Sequence, residues 1–108
     1  MDKNIKILCV CEQGINRSTG TKFCLNQRGY KNVIAMGISQ TTPEMAKMLC
    51  DWADMILLAK PYHRQHLPDG NLPKIREDFT IGEDTFHKPI TKELIAIVNP
   101  QLDKIGLI

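Results

Sequence analysis

Short apolar runs along this chain predict β-strands. Residues 4–10 (NIKILCV), 32–36 (NVIAM) and 53–59 (ADMILLA) are nearly continuous in hydrophobic side chains, many of them branched. Such runs are typical of strands that are buried on both faces of a parallel sheet. A more polar run at residues 74–80 (KIREDFT) predicts a fourth strand at an edge of the sheet. The pattern therefore predicts four strands.

The segments between the first three runs have the signals of helices. Residues 17–28 (RSTGTKFCLNQR) lead to Gly29, which is a typical helix stop. Residues 41–53 (TTPEMAKMLCDWA) start with Thr41 or Thr42 as a cap and carry a proline in the first turn. Apolar side chains then recur at helical spacing, which predicts a second helix with one buried face.

The last third of the chain also predicts helices. Residues 60–70 (KPYHRQHLPDG) indicate a short helix that ends in a Pro-Asp-Gly turn. A last helix is expected to begin near Pro89, and Asn99 with Pro100 predicts a cap and the first turn of a final short segment. The apolar stripe of this last helix consists of Ile90, Leu94, Ile97 and Val98.

The order of these elements defines the expected fold class. Strands that alternate with helices predict an α/β fold, in which a four-stranded parallel sheet with right-handed crossovers carries helices on both faces in three layers. A chain of 108 residues supports one core, so residues 1–108 are expected to form a single domain. Ligands of such sheets bind beyond the carboxyl ends of the strands, which directs attention to the loop after the first strand.

Composition and charge narrow the function classes. The formal net charge is +2, and basic and acidic residues are mixed along the chain, so no basic stripe predicts a nucleic-acid partner. No export signal is evident, and no apolar run approaches the roughly 18 residues that span a bilayer. We therefore expect a cytoplasmic protein without a membrane partner, whose four cysteines are thiols.

The stretch CEQGINRS after the first strand predicts an anion-binding loop. Five residues separate Cys11 from Arg17, and a loop of this length can curl so that successive backbone N–H groups point inward. The N-terminus of the following helix adds to the same positive field. The residues expected to bind a phosphate are Glu12, Gln13, Gly14, Ile15, Asn16, Arg17 and Ser18.

Four residues of this stretch have a chemical role in the hypothesis. The positive field favours the thiolate form of Cys11, which would make it a nucleophile. Arg17 offers a planar fork of donors for two phosphate oxygens. Gly14 is expected to adopt a positive φ in the tight curl, and Ser18 to donate a hydrogen bond to the Cys11 sulfur.

The sequence VCEQGINRS resembles the C-x5-R-S signature of low-molecular-weight protein tyrosine phosphatases and of the related small predicted tyrosine phosphatases. Residues 51–59 (DWADMILLA) are also similar to that family's third strand and its lead-in. The resemblance implies that Cys11 attacks phosphorus, and that water hydrolyses the phosphocysteine while Arg17 binds the transferring group. It implies no metal and no cofactor, and its substrates would be phosphotyrosine in proteins or small aryl phosphates.

The resemblance also implies a proton donor on a late loop. The family commonly has an aspartate there that is followed by a proline and an aromatic residue. In GEDTFHKP, Asp84 matches the aspartate and Phe86 the aromatic residue, whereas the proline is missing. Glu83 and Asp78 are alternative donors. Phe86 would then lie against the ring of the substrate.

The loop departs from the family pattern at three positions. Gly14 stands where an asparagine is frequent, and Asn16 stands where many members have a second cysteine. Glu12 places a negative charge close to the site of a dianion. We expect Glu12 to alter phosphate affinity or substrate preference.

Three other functions are compatible with a cysteine after a first strand. A phosphocysteine carrier similar to the B components of sugar phosphotransferase systems lacks the arginine that this chain has as Arg17. An arsenate reductase needs a later pair of cysteines, and none follows Cys50. A module that binds phosphorylated partners without turnover has no need of Cys11.

Overall fold

A computed structural model describes residues 2–68 and 72–108 of the chain. The three apolar runs form strands, and longer helices follow each of the first two strands and end the chain. The elements are β1 (Ile7–Cys11), α1 (Arg17–Gln27), β2 (Val33–Gly37), α2 (Pro43–Trp52), β3 (Met55–Leu58) and α3 (Lys92–Lys104). Short 3₁₀ helices lie at Ile38–Gln40, Pro61–His66 and Leu72–Lys74.

The sheet is parallel and has the strand order β2-β1-β3. The central strand β1 is buried along its whole length, which explains its continuous hydrophobicity. Cys11 is in register with Gly37, and Val10 with Leu58. The carboxyl ends of the three strands therefore meet at one edge, where the loop after β1 lies between the segments that follow β2 and β3.

The prediction of a fourth strand at residues 74–80 is wrong. In the part of the chain that the structure describes, residues 74–80 form only one parallel bridge, between Ile75 and Ile56. Arg76 then bonds to Asp78 (Nη2 to Oδ2, 3.0 Å), and the Phe79 amide donates back to the Arg76 carbonyl at 3.3 Å. These polar side chains favour a turn over further pairing, and the described sheet has three strands.

Alternate residues of β1 enter two separate cores. Ile7 and Cys9 belong to a cluster with α1 and α3, whereas Leu8 and Val10 belong to a cluster with α2. This alternation confirms the prediction of an α/β fold with helices on both faces of the sheet. Cys24 and Cys50 are buried in these two cores as small apolar side chains.

The helix ends agree with the sequence in one case and differ in another. The Thr42 hydroxyl accepts a hydrogen bond from the Met45 amide at 3.1 Å, which confirms a threonine cap for α2. The last helix begins at Lys92, with Thr91 as its cap, instead of near Pro89. It also continues through Pro100, so the prediction of a new segment at this proline is wrong.

Burial explains why α3 tolerates its proline. Pro100 is exposed, and the residues beyond it, Leu102 and Ile105, are buried in the core. Burial of these two side chains offsets the one backbone hydrogen bond that a proline removes.

The short helix that the sequence predicts after the third strand is present as Pro61–His66, whereas most of its Pro-Asp-Gly turn lies outside the described residues. Within residues 2–68 and 72–108, no helix is long and apolar enough to cross a membrane.

Candidate active site

The loop between β1 and α1 touches the end of β2 backbone to backbone. Gly14 has a φ of +72°, as predicted, and a Cβ added to it would lie 2.6 Å from the Gly37 nitrogen. A Cβ added to Gly37 would lie 2.2 Å from the carbonyl carbon of Gln13. Only glycine fits at both positions. The sequence analysis missed Gly37, although its place at the end of an apolar run was a signal.

Two carbonyl groups of the loop accept hydrogen bonds from residues outside it. The amide and the hydroxyl of Ser39 both donate to the Glu12 carbonyl at 2.8 Å. The Thr19 hydroxyl donates to the Gly14 carbonyl at 2.9 Å. Asn16 makes no side-chain capping bond to α1, so it leaves the first amide groups of the helix to other acceptors. Two acceptors of the loop are thus occupied, whereas the first amide groups of the helix have no side-chain cap from Asn16.

The sulfur of Cys11 lies at the base of this loop. The Gly14 amide donates to Cys11 Sγ at 3.1 Å, and the hydroxyl oxygen of Ser18 lies 3.1 Å from the same sulfur. The Gly14 amide is thus a donor to the sulfur, and the thiol itself donates to the Ser18 oxygen. Desolvation by burial raises the pKa of the other thiols, which are those of Cys9, Cys24 and Cys50. Of the four cysteines, Cys11 is the one whose sulfur accepts a hydrogen bond from an amide of this loop.

Arg17 is buried and reaches the late loop. Its side chain is only 4% exposed, and its Nη1 donates to the Gly82 carbonyl at 2.7 Å. Its Nε is also buried and has no hydrogen-bond partner among the described residues. One nitrogen thus fixes the guanidinium, while another buried donor is left for a ligand.

Asp84 is brought next to the loop by Asn16. The side-chain amide of Asn16 donates to Asp84 Oδ1 at 3.2 Å and to the Phe86 carbonyl at 2.6 Å. Glu83, by contrast, bonds to Lys60, and this bond lowers the pKa of the Glu83 carboxyl. The bond from Arg76 lowers the pKa of Asp78 in the same way. Of the predicted proton donors, Asp84 and Glu83 line the cavity of the site and Asp78 does not.

A cavity of about 340 Å³ opens between the loop and the segments that follow β3. Tyr62 lines this cavity. The sequence analysis missed it, although it follows β3 at the edge of the sheet where ligands bind. Phe86 is half-buried and packs against the core on the α1 and α3 face, outside the lining. Cys11, which is 2% exposed, is also outside the lining. The residues around the cavity are Glu12, Gln13, Arg17, Lys60, Tyr62, Glu83 and Asp84.

His63 is a buried neutral base behind this cavity. It has no exposed surface, and its Nδ1 accepts a hydrogen bond from the Lys60 amide at 3.3 Å. Burial, with a contribution from the charge of Arg17, lowers the pKa of His63 to about 4. Its Nε2 lies 3.8 Å from Glu12 Oε2 and has no hydrogen-bond partner among the described residues. At neutral pH this contact is therefore not an ion pair.

Comparisons with protein-family models, with curated proteins and with solved structures find no match to this chain. The function has to be argued from the site itself.

Proposed function

We propose that this protein is a phosphomonoester hydrolase that acts through a phosphocysteine on Cys11, with phosphotyrosine in proteins as its substrate class. The observation that carries this proposal is the sulfur of Cys11, held by the Gly14 amide at 3.1 Å at the base of a loop that leads into α1. The buried, unpartnered Nε of Arg17 supports it, because an arginine at this place suits phosphate oxygens.

The first step transfers the phosphoryl group to sulfur. The Cys11 thiolate attacks phosphorus while the bond from phosphorus to the leaving oxygen breaks, and Asp84 gives that oxygen its proton. In the second step water attacks the phosphocysteine, Asp84 takes a proton from the water, and the sulfur leaves as a thiolate. Arg17 and the loop amides stabilise the charge on the transferring oxygens in both steps. Cys11 is 2% exposed and lies at the base of the loop, so in this proposal the phosphoryl group enters the loop to reach the sulfur.

The partners of the acidic residues favour Asp84 as the proton donor. Lys60 lowers the pKa of Glu83, which holds Glu83 as a carboxylate. The side-chain and backbone groups that donate to Asp84, from Asn16 and Phe86, are uncharged. Asp84 faces the cavity without a cationic partner among the described residues, whereas Glu83 is paired with Lys60, so Asp84 is the carboxyl group assigned to proton donation in this proposal.

Tyr62 is the aromatic residue that fits the leaving group. It lines the cavity and is 40% exposed, whereas the half-buried Phe86 packs against the core outside the cavity lining. A phenol ring that enters the cavity would meet the Tyr62 ring at its wall. The contact that the sequence analysis expected of Phe86 is therefore assigned to Tyr62 in this proposal.

Turnover of p-nitrophenyl phosphate tests the proposal. We expect activity in the wild type and no activity in Cys11→Ser, which should still bind phosphate or vanadate because Arg17 and the loop amides remain. Arg17→Lys should lose about 100-fold or more, which is typical of a lost transition-state donor. Cys50→Ser and Arg28→Lys change the same residue types away from the site and serve as controls. Turnover by Cys11→Ser within a few fold of the wild type would contradict the mechanism.

A further inference from the structure

The lining of the site cavity carries more negative than positive side chains. The negative side chains of the lining are those of Glu12, Glu83 and Asp84, and the positive ones are those of Arg17 and Lys60. The charge of Lys60 is already matched by its bond to Glu83. A phosphate group that binds near Arg17 therefore brings further negative charge to an acidic wall, and this repulsion opposes binding of a purely anionic substrate.

Glu12 is, with Asp84, one of two cavity carboxylates that have only uncharged partners among the described residues, and it is the one next to Cys11. Its Oε2 accepts a hydrogen bond from the Tyr62 hydroxyl at 2.9 Å, and this bond raises the pKa of Tyr62. Its other close neighbour is His63, with Nε2 at 3.8 Å. No lysine or arginine among the described residues forms an ion pair with Glu12. One uncharged hydroxyl thus holds this carboxylate in place one residue after Cys11, with the neutral His63 beside it.

We propose that Glu12 selects substrates that carry a positive charge beside the phosphoryl group, namely phosphotyrosine flanked by lysine or arginine. This inference deepens the proposed function and rests on it. A cation of the substrate compensates Glu12, whereas an anionic neighbour adds to the repulsion. The buried Nε of Arg17, which has no partner among the described residues, points to a ligand at the same wall. Charge complementarity of this kind gives specificity by penalising the wrong substrate.

Three phosphotyrosine peptides test this inference. They are identical except that lysine, glutamine or glutamate flanks the phosphotyrosine. For the wild type we expect kcat/KM to fall in that order, by about fivefold at each change, as for partly exposed charge pairs. The preference should decrease as the ionic strength rises.

Variants identify the carboxylate that is responsible. In Glu12→Gln the ratio between the lysine and glutamate peptides should fall to about twofold, and Glu12→Asp should restore part of it. Tyr62→Phe, which removes the bond that holds Glu12, should give an intermediate ratio. Glu93→Gln removes the same charge from an exposed position outside the cavity and should keep the wild-type ratio. A wild-type ratio in Glu12→Gln would overturn the inference.

Binding separates this inference from the proposed function. Calorimetry with Cys11→Ser measures the affinity for the same three peptides without turnover. Equal affinity for all three, in a protein whose wild type hydrolyses them, would overturn the inference and leave the phosphatase standing. A graded affinity without any hydrolysis by the wild type would overturn the phosphatase and support Glu12 as a charge selector in a binding module.

Discussion

Two loops form the candidate site, and they are held in place by different means. Residues 12–16 are fixed by backbone contacts, above all the close approach of Gly14 to Gly37. Residues 82–86 are fixed by side chains of distant elements, with Arg17 bonded to the Gly82 carbonyl and Asn16 to Asp84. The first loop therefore needs glycine at two positions, whereas the second depends on polar bonds that single substitutions remove.

This difference predicts how each loop responds to mutation. A backbone contact without space for a Cβ leaves no room for adjustment, so its loss should distort the loop and the position of Cys11 together. A bond between a side chain and a late loop can break while the rest of the site stays intact. Loss of the contact between Gly14 and Gly37 should thus abolish binding and catalysis, whereas loss of the bonds to Asp84 should affect mainly proton transfer.

Gly37→Ala should have the largest effect. The added Cβ would lie 2.2 Å from the Gln13 carbonyl carbon, so the loop and the end of β2 must separate. We expect loss of phosphate binding, at least a 100-fold loss of p-nitrophenyl phosphate turnover, and about 1–3 kcal/mol less unfolding free energy. Titration with phosphate and urea unfolding measure these effects. Gly106→Ala, at a positive φ with open space around it and outside both loops, is the control for added strain, and normal phosphate binding by Gly37→Ala would contradict the backbone contact.

Asp84→Asn should separate proton transfer from binding. A phenol such as tyrosine leaves poorly without a proton, so hydrolysis of phosphotyrosine should fall by about 100-fold or more. An aryl phosphate with an acidic leaving group departs unprotonated and should lose far less. Measurement of kcat/KM for both substrates gives the comparison, while phosphate binding should persist.

The same pair of substrates distinguishes the other acidic residues. Glu83→Gln and Asp78→Asn should slow both substrates to a similar and smaller extent, because these carboxylates pair with Lys60 and Arg76. A selective loss on phosphotyrosine in Glu83→Gln, with equal losses in Asp84→Asn, would assign proton donation to Glu83.

Asn16→Ala should weaken the link between the two loops. It removes the bonds from the Asn16 amide to Asp84 and to the Phe86 carbonyl, whose N–O distances are 3.2 and 2.6 Å. We expect about a tenfold loss of phosphotyrosine hydrolysis, corresponding to one or two hydrogen bonds. Phosphate affinity should change little. Asn26→Ala, on the exposed end of α1, is the matched control, and a large loss of phosphate affinity in Asn16→Ala would show that the two loops are not independent.

His63→Asn should change how the stability of the protein responds to acid. The pKa of His63 is about 4 in the folded chain, below its ordinary value of 6.5, so the unfolded chain binds the proton more tightly. The free energy of unfolding should therefore fall as the pH drops from 6.5 to 4, by at most about 1.4 kcal/mol per pH unit. In His63→Asn this part of the slope should disappear, as measured by urea unfolding at several pH values. An unchanged slope would show that His63 is not the buried base.

Local patterns predicted one half of the site and not the other. The apolar runs located β1, β2 and β3, and the spacing of Cys11 from Arg17 indicated the loop. Each of these signals is local, because it is contained in a segment of about a dozen residues. Asp84 was inferred from a resemblance, and the sequence offered no means to choose between it and its acidic neighbours. Its contact with Asn16 joins residues that are 68 positions apart.

The two wrong predictions, of a fourth strand and of a new segment at Pro100, also arise because local patterns do not show distant contacts. The run at residues 74–80 contains strand-forming side chains, but pairing with β3 stops after Ile75 because the next residues bond among themselves. Pro100 has a strong local preference to end a helix, and the burial of Leu102 and Ile105 overrides it. Tertiary contacts override the local preference for strand or helix at these positions, and the contacts cannot be read from one sequence.

Trapping of the phosphocysteine tests the central claim most directly. The wild type is mixed with p-nitrophenyl phosphate, quenched within the first turnover, digested, and examined by mass spectrometry under conditions that preserve the phosphorus–sulfur bond. The account predicts one added phosphoryl group on the peptide that contains Cys9 and Cys11, its assignment to Cys11 by fragmentation, and its absence in Cys11→Ser. A fully active wild type without any phosphorylated cysteine, or with the group on another residue, would contradict the account.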